Sequence, residues 1–266
     1  MGRAFEVVTG RAPVVVHVPH AGLDLPADVA ADLRLDPAGL AAEVLAITDW
    51  GTAELAHGLS ELGATLLVNR VSRLVVDVER YPDPLEESME QVGMGAVYTR
   101  TSQGAVLRDE DPDRSAAVRA DLVARYHTPW HAALTEEVAR VVAAHDWCVI
   151  VDLHSYPSRP LPYELSPDTP RPEVCLGTDP SATPEAVVEL AETVLADHGF
   201  ATARDTPFAG AITPAAFAAD RRVASLMLEV RRDVVCDETT GAPHDGLETL
   251  RSAIGELVAG LAIAHA

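Results

Sequence analysis

The chain has 266 residues, 48% of them hydrophobic, enough to bury a sizeable core in one large domain or two small ones. Its formal charge is −21 and all twenty basic residues are arginine, a balance that repels phosphate backbones and anionic membranes at long range and so excludes nucleic acid and membrane as expected partners. No window approaches eighteen uncharged apolar residues, and the start, "MGRAFEVVTGRAP", lacks the apolar stretch and cleavage site of a secretory signal, so the expected location is the cytoplasm.

The first predicted element is a strand, "APVVVHV" (12–18), which runs into "PHAG" and leaves His20 just past its carboxyl end. A helical pattern follows over 37–46. In "ITDWGTAEL", Asp49 directly precedes a second helix, 50–62, with apolar Leu55, Leu59 and Leu62. Two strands come next, "ATLLV" (64–68) and "RLVVDVE" (73–79), the latter ending in Asp77, Glu79 and Arg80. Residues 81–113 are irregular and too long for an ordinary connection, which predicts a loop bordering the active site. A helix over 114–144, with a break at Pro129, carries His127 and His131. "WCVIVDL" (147–153) is a strand that delivers Asp152 and His154 to one face, because they share parity, and the Pro-rich piece 156–172 after it is expected to wall the same cleft. The strand "EVCLG" (173–177), a helix over 184–198, the strand "VASLMLEV" (223–230) and a helix over 246–264 complete the chain.

This alternation, with no internal repeat and no long linker, predicts a single α/β domain over 1–266. The uniformly apolar strands predict a mostly parallel or mixed central sheet with helices on both faces. Ligands of such sheets gather at the carboxyl ends of the strands. Cys148, Cys175 and Cys236 lie in or beside apolar runs, form no C-x-x-C pair and read as buried free thiols.

The ionisable residues fall at those ends. A catalytic zinc takes three nitrogen or oxygen ligands and keeps a position open. His20 and His154 are the natural imidazoles. Asp49 is the preferred carboxylate, with Asp24 as the competitor and an ordinary helix N-cap as the alternative role for Asp49. Glu229 lies inside an apolar run, on the face that also carries Met227 and Arg231. A carboxylate there is costly to bury unless paired or bound near a metal, and desolvation lifts it toward the pH where it can act as a general base. The competing role is an ion pair with Arg231 or Arg80. Arg73 and Arg80 form a local positive spot in an acidic chain, able to fork onto carboxylates, whereas Arg70 reads as structural. Ser155 and Arg231, beside His154 and Glu229, join Arg80 as candidate substrate contacts, although no Gly-x-Ser-x-Gly elbow makes Ser155 a nucleophile. His127 and His131 have i, i+4 spacing but no carboxylate partner, and read as packing or cleft-wall residues. Neither a Gly-x-Gly-x-x-Gly nor a Walker loop is present, which argues against nucleotide cofactors.

The order "VPHAG", "TDW", "NRVSRLVVDVER", "YHTPWHAAL", "VDLHSYPSRP", "CLGT" and "MLEV" resembles the N-formylglutamate amidohydrolase family over nearly the whole chain, a family related in fold to the zinc carboxypeptidases. The resemblance implies that His20, Asp49 and His154 hold one Zn2+ or another divalent ion, that Glu229 is the general base, that Arg73 polarises the substrate carbonyl and that Arg80 anchors a substrate carboxylate. It also implies a small anionic N-acyl amino acid as substrate, most directly N-formyl-L-glutamate in histidine degradation, with a carboxypeptidase or a deacylase of another N-acyl amino acid as the alternative. Two positions depart from the family pattern: Glu79-Arg80 stands where Asn-Arg is usual, and "PFAGAIT" (207–213) replaces a Lys-Gly-Gly-like stretch. The sequence does not specify an oligomeric state.

Overall fold

A computed structural model describes residues 3–109 and 111–263. One seven-stranded sheet runs through it, formed by β1 (Phe5–Val8), β2 (Val14–Val18), β3 (Thr65–Asn69), β4 (Cys148–Tyr156), β5 (Val174–Gly177), β6 (Thr202–Arg204) and β7 (Val223–Arg231), in the spatial order β1-β3-β2-β4-β7-β5-β6. The central four strands, β3, β2, β4 and β7, are parallel; β1 is antiparallel to β3, and β5 is antiparallel to β7. The mixed sheet expected from the apolar strands is therefore present, and four carboxyl ends share one edge.

The helices are α1 (Ala27–Ala30), α2 (Pro37–Ile47), α3 (Thr52–Ala56), α4 (Pro112–Leu122), α5 (Thr128–His145), α6 (Glu185–Asp197) and α7 (Gly246–Ile263). One sheet face packs Val16, Val151 and Leu226 against α3, α6 and α7. The opposite face packs Val15, Ile150 and Val223 against α5 through Trp130, Leu134 and Val138. Both faces are covered, which is why the central strands carry hydrophobic residues in succession. No described helix is long and apolar enough to cross a membrane. All three cysteines are free and buried.

Several predicted elements are corrected. Residues 73–79 form no strand. Leu74, Val75, Val76 and Val78 are all buried, in runs and not alternately, and side chains occupy carbonyls that a neighbouring strand would otherwise take. Arg108 donates to the Leu74 carbonyl, His131 to Val78 and His127 to Arg80. Pro129 does not break its helix: a π-turn over Val123–His127 joins α4 to α5 and leaves Pro129 in the first turn, where its missing N–H is no loss. The helix expected over 50–62 stops at Ala56, where Gly58 turns left-handed at φ 88° before a 3-10 turn over Leu59–Leu62. β4 runs three residues beyond the expected strand, so His154 as well as Asp152 lies within it. The edge strands β1 and β6 are absent from the prediction, because both are short and only partly buried. In the long irregular stretch a 3-10 turn spans Ser88–Val92, and Met94, Tyr98 and Leu107 pack a small core with Leu33, Ile47 and Leu74. Glu110 of that stretch, and residue 264 of the last predicted helix, lie outside the described residues.

Candidate metal centre

Four connections at the carboxyl edge meet above β2 and β4. His20 follows β2 by two residues, and its turn is held by Asn69 at the end of β3, whose Nδ2 donates to the Pro19 carbonyl at 2.9 Å. Asp49 lies between α2 and α3, tied to that turn by its own N–H on the His20 carbonyl at 3.1 Å. It is not a helix cap: Gly51, left-handed at φ 87°, takes that position, and no side chain caps α3. His154 comes from within β4, directly opposite Glu229 on β7.

The acceptor atoms converge closely. His20 Nδ1 and His154 Nδ1 are 3.2 Å apart, and Asp49 Oδ2 lies 3.0 Å from His154 Nδ1 and 3.5 Å from His20 Nδ1. A tetrahedral ion with bonds of about 2.0–2.2 Å places its ligands about 3.3–3.6 Å apart; one side of this triangle lies in that range and the other two are a few tenths of an ångström shorter. Asp24 is exposed and takes no part.

The outer nitrogens fix which ring atom is free. His20 Nε2 donates to Asp77 Oδ1 at 2.9 Å, and His154 Nε2 faces Asp152 Oδ1 at 3.0 Å and Glu79 Oε2 at 2.9 Å. In its neutral form each imidazole keeps its proton outward and aims a lone pair inward, the usual arrangement behind a metal-bound histidine. Two lone pairs and a carboxylate facing one another repel unless a cation or a ring proton lies between them. Burial and the Arg73 charge oppose protonation of His20, and burial opposes it at His154. The surrounding carboxylates prevail and hold both rings above the ordinary histidine value, His154 well above. Asp49 and Asp77 are lowered despite burial, by the imidazoles and by Arg73.

Two further triads also come within ligand reach, His20–Glu79–His154 and His17–Glu79–Asp152. In the second, Trp130 Nε1 donates to His17 Nε2 at 3.0 Å, which leaves the ring proton on Nδ1, 2.7 Å from Asp152 Oδ1. His17 is thus a hydrogen-bond link from Trp130 to Asp152 and on to His154. In the first, Glu79 meets His154 at its outer nitrogen and supports the ring from behind. The Nδ1–Nδ1–Oδ2 set is the one in which both histidines present the nitrogen not engaged by an outer carboxylate. Glu79 turns Oε2 to His154, while its Oε1 is buried without a hydrogen-bond partner.

Asp77 is fully buried and accepts from Arg73 Nη2 (2.7 Å) and Nε (3.1 Å), Tyr98 Oη (2.6 Å), His20 and the Glu79 N–H. Arg73 reaches Asp49 Oδ1 with Nη1 at 3.4 Å. Arg80 is freer: its side chain is 29% exposed, and its nitrogens stand 3.7 Å from Asp77 and 3.8 Å from Glu87. Ser155 donates its N–H to Asp49 Oδ2 at 3.3 Å and its hydroxyl to the Trp50 carbonyl at 2.8 Å. Arg231 is bound to Asp233 at 2.6 Å and to the Arg171 carbonyl at 2.7 Å, so Glu229 has no ion pair with it. Glu229 Oε2 is buried without a hydrogen-bond partner, and burial together with the nearby Asp49 and Glu79 charges pushes its carboxyl up to about 7.

The sequence reading brings His20, Asp49, His154, Glu229, Arg73 and Arg80 to one edge, and the structure places His20, Asp49 and His154 within 3.0–3.5 Å of one another there. It passes over His17, Trp130 and Arg232. Arg232 is buried behind Asp49, 3.6 Å from Oδ1, and donates to the Ala46 carbonyl. Its only sequence signal is the doubled "RRD" after β7, which does not distinguish it from Arg231.

The pattern of the family described as N-formylglutamate amidohydrolase matches residues 12–236. An N-formylglutamate deformylase of Pseudomonas aeruginosa is 30% identical over 98% of this chain and 97% of its own, and one of Pseudomonas putida is 27% identical over 71% and 67%. The crystal structure of an N-formylglutamate amidohydrolase from Ralstonia eutropha superposes with a TM-score of 0.83 at 25% identity, covering 97% of both chains. A gene product of Agrobacterium tumefaciens shares the fold at a TM-score of 0.72 and 21% identity, covering 99% of this chain and 96% of its own.

Proposed function

The chain belongs to the N-formylglutamate amidohydrolase family, and from that premise we propose that it hydrolyses the formyl amide of N-formyl-L-glutamate to formate and L-glutamate. We further infer that it uses one zinc ion held by His20, Asp49 and His154. The observation that carries the reading is the triangle of three buried acceptors, with sides of 3.0–3.5 Å, on the sheet edge where Glu229 Oε2 is buried without a hydrogen-bond partner. Two imidazoles and one carboxylate are a donor set that suits zinc.

When bound, the metal supplies Lewis acidity, which acidifies a water molecule and withdraws electron density from the formyl oxygen. Glu229 takes a proton from that water and returns it to the leaving amine nitrogen. A carboxyl near neutrality suits both transfers. Arg73 Nη1, the nitrogen least committed to Asp77, is the proposed donor to the negative charge that develops on the carbonyl oxygen. Arg80, without a close partner, is the proposed anchor of a substrate carboxylate. Ser155 and Arg231 are already engaged by Trp50 and Asp233, and in this reading Ser155 serves the site by holding Asp49. The reading places the enzyme among cytoplasmic enzymes of amino-acid breakdown.

The test is elemental analysis of the purified protein together with formate release from N-formyl-glutamate, N-formyl-aspartate and N-acetyl-glutamate. The expected result is one equivalent of zinc and formate release that a chelator abolishes and added zinc restores. Activity unchanged in stripped protein would rule out the metal, and a zinc-loaded protein that releases no formate would rule out the reaction.

A further inference from the structure

The segment 74–80 carries three parts of the site yet belongs to no regular element. Asp77 holds His20, Glu79 holds His154, and Arg80 is partly exposed with its guanidinium loosely held. Buried backbone carbonyls outside a sheet need donors from elsewhere. The helical connection from α4 to α5 supplies them at two alternate positions, on either side of Glu79. His131 Nε2 lies 2.6 Å from the Val78 carbonyl and His127 Nε2 lies 3.0 Å from the Arg80 carbonyl.

The two histidines are a matched pair. Their i, i+4 spacing puts both rings on one helix face, with centroids 4.3 Å apart and planes inclined by 31°. The π-turn that ends at His127 sets the rotation of this face, and such turns recur at functional sites. Burial lowers both groups, His131 to about 4, so each is a neutral ring whose Nε2 carries the proton it donates. Neither ring touches His20, Asp49 or His154 in any hydrogen bond or ion pair of the structure.

We propose that His127 and His131 are positioning residues that clamp the backbone at Val78 and Arg80, and so set the placement of Arg80 and of the Glu79 carboxylate behind His154. The inference rests on the functional reading only for what Arg80 does. Spacing alone left this pair as packing or cleft-wall residues; the two carbonyl contacts give it a definite task.

The experiment compares His127→Phe and His131→Phe, which keep a ring and lose the donor, with His127→Gln and His131→Gln, which keep an N–H donor. Two readouts are taken on the full-length, metal-loaded protein: hydrogen–deuterium exchange of the peptide spanning 74–81, and kcat and KM for N-formyl-glutamate. The Phe variants should exchange that peptide at least about tenfold faster while the central strands stay protected. His127→Phe should raise KM about tenfold with kcat within about threefold, through Arg80. The Gln variants should recover most of each change. Folded Phe variants with parental exchange and parental KM would overturn the clamp, as would Gln variants as impaired as the Phe ones. Exchange needs no substrate, so a parent inactive on N-formyl-glutamate would defeat the functional reading and leave the clamp to be decided by exchange.

Discussion

The two faces of β2, β4 and β7 are made from alternate residues of the same three strands, and they are put to opposite uses. One face is apolar from end to end: Val14, Val16 and Val18, then Val149, Val151 and Leu153, then Ala224, Leu226, Leu228 and Val230, all buried against α3, α6 and α7. The other begins in the same way, with Val15, Cys148, Ile150 and Val223 against α5, and toward the carboxyl ends changes to His17, Asp152, His154 and Glu229. Burying ionisable groups costs stability unless they are paired, so the second face gives up packing energy for chemistry while the first supplies the packing that tolerates it. Substitutions on the two faces should therefore have opposite signatures.

The largest expected effect is on the chemical face. Glu229→Gln should lower kcat on the order of 10³-fold, the range of a lost general base, while binding zinc as the parent does. Its stability should not fall. Glu229 titrates near 7 in the folded protein against about 4.5 when free, and a raised carboxyl contributes stability that is present below 4.5 and lost as pH rises toward 7. Metal-free parent should thus lose up to about 3 kcal/mol over that interval, and the Gln variant should lose none of that amount, as denaturant unfolding at pH 4.5 and 7.5 would register. The acid limb of kcat/KM should lie at or below about pH 7. A variant that kept its turnover and melted earlier would place Glu229 with the structural residues and dissolve the contrast.

On the apolar face the converse holds. Leu226 is fully buried among β4, α6 and α7 neighbours, and Leu226→Ala should cost about 2–5 kcal/mol of unfolding free energy. Activity per folded molecule should stay within about twofold, and comparing kcat with the folded fraction from circular dichroism tests this. A tenfold loss of kcat in fully folded protein would show that the faces are not separable.

The same contrast governs what could be read in the sequence. His20, His154 and Glu229 stand out because each interrupts an apolar run at a strand end, where burial makes an ionisable group conspicuous. Asp49 is less visible, since an aspartate ahead of a helix is ordinarily a cap; only the fold shows Gly51 in that position and Asp49 turned to the histidines. Residues 73–79 read as a strand because apolar and ionisable residues mix with near-strand spacing. The partners that make the segment something else, Arg108, His127 and His131, lie 34 to 53 positions away along the chain. His17 and Arg232 were not legible for a related reason: nothing local distinguishes them from a core histidine and a surface arginine.

The smallest expected effect lies where the two faces meet, at Ser155. As a side chain beside His154 it reads as a substrate contact, yet it belongs to the opposite parity, and its hydroxyl is already given to the Trp50 carbonyl at 2.8 Å. The link from Ser155 to the three proposed ligands is its backbone N–H on Asp49, which a substitution leaves in place. Ser155→Ala should therefore remove one buried hydroxyl–carbonyl bond, worth about 1 kcal/mol, and leave KM for N-formyl-glutamate within about threefold. Thermal unfolding and steady-state kinetics on one preparation measure both. A KM raised tenfold with stability unchanged would mean that the hydroxyl leaves Trp50 for the substrate, and that the chemical face extends one residue further round the strand than its alternation allows.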